Sequence, residues 1–98
     1  MTIRDQGRDD ASRFQVSSDI VYQQTGDEAV LVDMNTNQIY ELNRTGARFW
    51  ELLSAGHDRT EIQQLMLQEF DVAEADLAVE IEAMITSLEN EGLITKAS

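Results

Sequence analysis

Residues 31–53 read LVDMNTNQIYELNRTGARFWELL, and the fold turns on how this run is divided. Two short apolar runs flank the turn-rich DMNTN, and the second leads straight into a helical pattern. That layout suits a β-hairpin wing set beside helices. On many proteins such a wing grips DNA, and an exposed strand edge also receives extended peptides. Composition and charge have to separate the two uses.

Upstream, Glu28 to Asp33 (EAVLVD) is rich in β-branched residues, and Gln38 to Leu42 (QIYEL) follows two asparagines that tolerate left-handed backbone angles. Before them, Phe14 to Gln24 (FQVSSDIVYQQ) has an apolar beginning and an apolar-aromatic centre, and Thr25-Gly26-Asp27 marks a turn. Sequential strands with short connections usually pair antiparallel. The expectation is a small meander with its third strand, around Ile39 to Glu41, at an edge.

Three helices are expected downstream. Asn43 is placed to cap the first, whose apolar residues are Ala47, Phe49, Trp50, Leu52 and Leu53, and Gly56 ends it. The second begins at Asp58 or Thr60, each with an acid or amide three residues on, and carries the stripe Ile62, Leu65, Met66 and Phe70. The third runs from about Ala73 to Glu91, with Leu77, Ile81, Met84, Ile85 and Leu88 on one face and Gly92 after it. The sum is an α+β domain, winged helix-turn-helix-like, with a three-stranded antiparallel sheet followed by three helices. Residues 14–95 form this domain, and the polar, mixed-charge stretch 1–13 is expected as a flexible tail.

A chain of 98 residues with 42% apolar content fits one modest core. It has no cysteine, so neither disulfides nor thiolate chemistry apply. No apolar stretch approaches the roughly 20 residues of a membrane span, and the start MTIRDQGRDDASR has no hydrophobic signal core. A cytoplasmic protein with no membrane partner is expected.

Charge argues against nucleic acid. The net charge is −12, and from Thr60 through Thr95 nine acids stand with no Lys or Arg among them. Phosphate binding draws its affinity from cations, so a DNA-binding winged helix would rely on Arg44, Arg48 and Arg59 alone. The acidity also serves plain solubility.

No catalytic constellation is visible. The sole histidine, His57, sits in a loop without a second ligand at metal spacing, which is ordinary for a surface histidine. Asp71, Glu74 and Asp76 do not follow the calcium-loop pattern and read as a solvated helix start. There is no glycine-rich phosphate loop. An enzyme, a metal and a cofactor are all not expected. Binding remains. QIYEL carries no Lys or Pro and only Glu41 as a charge, so little guards its edge against an added strand. The apolar face of the third helix is chiefly core, and its width leaves room for part of it to face a groove. Dimerisation through the same edge is a further reading.

In order and spacing, several short pieces together resemble the PqqD-like family over residues 18–95: Leu42-Asn43, Gly46-Ala47, Trp50-Glu51-Leu52-Leu53, Phe70-Asp71-Val72 and Gly92-Leu93-Ile94. Members are leader-recognition domains for ribosomally made, post-translationally modified peptides (RiPPs). YELNRTGARFWELL looks most like the discrete leader-binding proteins of lasso-peptide pathways, with the pyrroloquinoline quinone type, a chaperone delivering its precursor to a radical SAM enzyme, as the alternative.

The resemblance implies a mechanism. The precursor's leader would add as an antiparallel strand to the third strand, at Gln38, Ile39, Tyr40 and Glu41, and pack into a cleft beside the third helix. There Asp76, Leu77, Glu80, Ile81 and Met84 would meet it, with Asp76, Glu80 and Asp33 able to hold a leader hydroxyl or cation, or simply to face solvent. Lasso leaders of this family often carry a tyrosine, a proline and a leucine, which suit an apolar cleft. The bound precursor would pass to a separate cysteine protease, and a macrolactam-forming cyclase would follow.

Overall fold

The computed structural model describes residues 13–97, so the tail expected over 1–13 lies, apart from Arg13, outside the described residues. The chain runs β1 (Phe14–Val16), β2 (Ile20–Thr25), β3 (Glu28–Asp33), β4 (Gln38–Leu42), α1 (Arg44–Ser54), α2 (Arg59–Glu69), α3 (Glu74–Asn90) and β5 (Ile94–Lys96). Strands β2, β3 and β4 form an antiparallel sheet in that order, so β4 is paired on one side only. Its turns follow local chemistry. Gly26 takes a positive φ of 69° between β2 and β3, and Asn37 takes 62° at the end of DMNTN, where its N–H donates to the Asp33 carbonyl at 2.7 Å.

The expected first strand is two strands. Around Ser17 the chain leaves the ladder: the Ser17 N–H donates to the Leu93 carbonyl at 2.9 Å, and the Ile20 N–H turns back to the Ser17 carbonyl at 3.4 Å. β1 pairs instead with β5, a strand not expected from the sequence. Serine and aspartate favour such local turns over a continuous ladder.

Capping decides where the helices begin. The Asn43 side chain accepts from the Gly46 N–H at 2.9 Å, and Asp58 and Glu61 form a reciprocal capping box at 2.8 and 3.0 Å. α3 starts without a side-chain cap, and Glu74 and Asp76 in its first turn complement the helix dipole. Leu31 of β3, Phe49, Trp50 and Leu53 of α1, Ile62 and Met66 of α2, and Leu77, Ile81 and Ile85 of α3 meet in one core that Leu93 and Ile94 close.

A polar knot ties α1 to its neighbours. Arg48 donates to both carboxylate oxygens of Glu69 at 2.7 and 2.8 Å and to Glu51 at 3.0 Å, a charge-assisted fork. This holds the Glu69 carboxyl below the usual range, its hydrogen bond from Arg48 being the largest cause. The Tyr22 hydroxyl donates to Glu51 at 2.7 Å, and its pKa is pushed up to about 12 by burial and then by that carboxylate.

Candidate functional site

The open edge of β4 can be read atom by atom from the ladder. In an antiparallel pair, successive residues point their N–H and C=O alternately toward one neighbour and the other. The Met34 N–H donates to the Asp19 carbonyl, on the β2 side, at 2.9 Å. The Asp33 carbonyl, one residue earlier, accepts from Asn37 on the β4 side. Residues 29, 31 and 33 of β3 therefore bond β4, opposite Leu42, Tyr40 and Gln38. What remains on the free side is Ile39 and Glu41, offering two N–H donors and two C=O acceptors to whatever lies alongside.

Side chains alternate as well. Ile39 and Glu41 lie on the face away from the helices, where Ile39 is 66% exposed and continues a cross-strand row with Val32 and Val21. Gln38, Tyr40 and Leu42 share the helix side. The Tyr40 hydroxyl, donating to either the Gln38 amide oxygen or Glu91 just past α3, bridges strand and helix. Desolvation and the Glu91 carboxylate push its pKa up, so Tyr40 is a neutral donor throughout the physiological range.

Beside this edge lies a groove of about 240 Å³ between the end of β4, α1 and α3. Its lining is Leu42, Gly46, Phe49, Trp50, Glu80, Ala83, Met84, Ser87 and Leu88, apolar but for Glu80 and Ser87. It exists because α3 packs chiefly on α2 and β5 and so stands off from β4.

The sequence-derived residues divide. Gln38, Ile39, Tyr40 and Glu41 form β4 as expected, and Glu80 and Met84 line the groove. Asp76 is exposed in the first turn of α3. Leu77 and Ile81, at 1% and 0% exposure, are core residues and are not part of the groove lining. The reason is helical phase, since 77, 81 and 85 form the buried stripe while 80, 83, 84 and 87 form the adjacent one. Leu42, Gly46, Ala83 and Ser87 were missed. The spacing of Glu80, Ala83, Met84 and Ser87 was the signal available for two of them. Asp33, 8% exposed, accepts from the Asn35 N–H at 2.9 Å within its own turn.

The three cations a DNA-binding reading needs are all engaged. Arg44 lies over the Phe70 ring at 4.8 Å, Arg48 is held by Glu69 and Glu51, and Arg59 contacts Glu82 at 2.6 Å. Among the described residues no group of three His, Cys, Asp or Glu side chains could hold a metal ion. No helix among them is long and apolar enough to cross a membrane.

Comparison with known proteins places the chain by family and fold. The family model described as coenzyme PQQ synthesis protein D (PqqD) matches residues 28–94, from β3 to the start of β5. The structure of TbiB1 in complex with the TbiA(beta) leader peptide is 25% identical, with a TM-score of 0.79 over 86% of this chain and 98% of that one. That of lasso peptide synthetase B1 complexed with the leader peptide is 29% identical, with a TM-score of 0.76 over 85% and 98%. No curated protein sequence matches the chain significantly.

Proposed function

The chain belongs to the PqqD family, and from that premise we propose that it is a non-catalytic recognition element that binds the leader region of a RiPP precursor. The observation that carries this reading is the pairing of an open strand edge with an apolar groove on the same side of the molecule. An extended leader segment adds antiparallel to β4. It exchanges backbone hydrogen bonds with Ile39 and Glu41, the two residues whose donors and acceptors face outward. Its alternate side chains fall on the helix side, against Tyr40 and Leu42, and there an apolar one enters the groove walled by Glu80, Ala83, Met84 and Ser87. Gln38 extends the strand, and Asp76 lies farther along the helix at the exposed rim.

Both similar structures hold leader peptides, one of them on a lasso peptide synthetase. On that likeness the precursor is a lasso peptide, and the complex is presented to a separate cysteine peptidase, with a cyclase acting afterwards. The family model is described as a coenzyme PQQ synthesis protein, and a second reading, after the pyrroloquinoline quinone type, is delivery of a precursor to a radical SAM enzyme; the same edge and groove serve it equally. Titrating the labelled cognate leader peptide against the purified protein tests the common core of both. Saturable, stoichiometric binding is expected, and its absence would contradict the proposal.

A further inference from the structure

The edge of β4 carries a sequence preference in its outward side chains. Ile39 ends an apolar row, Val21–Val32–Ile39, whose members are directly opposite one another across the sheet. Glu41 ends the next row, after Gln23 and Val30, and no hydrogen bond or ion pair ties its carboxylate among the described residues. Both rows stop at solvent on the side where a strand would add.

A strand that pairs antiparallel with β4 extends both rows by one residue. Ile39 and Glu41 would each form a hydrogen-bonded pair, which sets the facing Cα atoms about 5.5 Å apart and their side chains on the same face. Cross-strand neighbours at that distance favour apolar against β-branched and opposite charge against charge, and like charges repel. Chain direction then orders the requirement, because an antiparallel partner meets Glu41 before Ile39.

We infer that the segment docking on β4 carries a basic residue opposite Glu41 and, two positions later, a β-branched or aromatic residue opposite Ile39, so that the protein selects a basic–x–apolar pattern on the face away from its groove. This rests on the strand-addition reading above and adds to it the identity of the side chains outside the groove. A lysine or arginine there lays its alkyl stem along the apolar row and brings its head to Glu41. The excess of acid over base in the whole chain, net −12, works in the same direction.

Selection from a displayed library of random short peptides tests it, with binders retained only if they fail on the folded variant Ile39→Pro. Wild type is expected to enrich Lys or Arg two residues before Val, Ile, Thr or an aromatic, and Glu41→Lys to enrich Asp or Glu at the same place. Synthetic peptides with the basic residue exchanged for glutamate should bind wild type roughly two- to fivefold more weakly and Glu41→Lys more tightly. Peptides with the two residues in reversed order should lose the preference. Edge-dependent binders with no charge preference, or the same preference on both proteins, would overturn the inference and leave strand addition standing. A library that yields no edge-dependent binder would overturn both.

Discussion

Proline substitution along β4 separates strand addition from any other way of using this surface. The Ile39 N–H faces the free edge and the residue is 66% exposed, so Ile39→Pro removes no ladder bond of the folded protein. Proline is tolerated at such a position in an edge strand. Ile39 and Glu41 together offer a docking strand two donors and two acceptors. At about 0.5–1.5 kcal/mol each these contribute roughly 2–6 kcal/mol to binding. Ile39→Pro deletes one donor outright and, through the bulk of its ring, disturbs the carbonyl bond of the same pair. The expected loss is about 1–3 kcal/mol, or roughly 5- to 150-fold in Kd. Tyr40→Pro is the control, because the Tyr40 N–H points to Leu31 and its loss should lower the melting temperature. Fluorescence anisotropy with labelled leader, alongside thermal unfolding of each variant, reads both. Unchanged leader affinity in a folded Ile39→Pro protein would refute the assignment of that donor to the binding edge.

Other residues give shorter tests. Ala83→Phe should fill the groove and weaken leader binding about tenfold, the worth of one or two buried methylenes, while thermal unfolding stays unchanged. Ile81→Ala should cost about 2–5 kcal/mol in denaturant unfolding, because Ile81 is fully buried, whereas half-buried Met84→Ala should cost less stability and more affinity. Arg48→Met should lower stability at neutral pH by about 0.2–1 kcal/mol, the fork with Glu69 being partly exposed. The Glu69 carboxyl is depressed in the folded state, so its contribution is full above the unfolded carboxyl value and lost as pH falls through the folded one. The gap between wild type and Arg48→Met should therefore close in acid, as followed by urea titrations across pH. Random duplex DNA at low salt should give no gel shift, since Arg44, Arg48 and Arg59 are already engaged within the fold.

Most of the fold was legible because its boundaries are set by local chemistry. Asn43, Asp58 with Glu61, Gly26 and Asn37 each act on backbone within a few residues, so the sequence marks where turns and helices begin. β1 and β5 were not legible: each is a three-residue strand whose partner lies at the far end of the chain, and neither has a periodic pattern of its own. The site was half legible. QIYE could be seen as an unguarded edge, yet which of its residues face outward depends on register with β3, which only the Asp33 and Met34 hydrogen bonds define. On α3 the expected residues fall on two neighbouring stripes, Glu80 and Met84 lining the groove and Leu77 and Ile81 lying in the core. Leu77 and Ile81 are the strongest hydrophobes in that half of the helix and belong to the core. The groove is lined by smaller or polar neighbours such as Ala83 and Ser87, which carry no strong apolar signal.

The central claim is that a leader peptide becomes a strand on β4. Amide hydrogen exchange, resolved by NMR with and without saturating leader, tests it most directly. The Ile39 and Glu41 amides should exchange rapidly in the free protein and become strongly protected in the complex, while Tyr40, already bonded to β3, changes little. Ile39 and Glu41 amides that remain as fast in the saturated complex as in the free protein would contradict it.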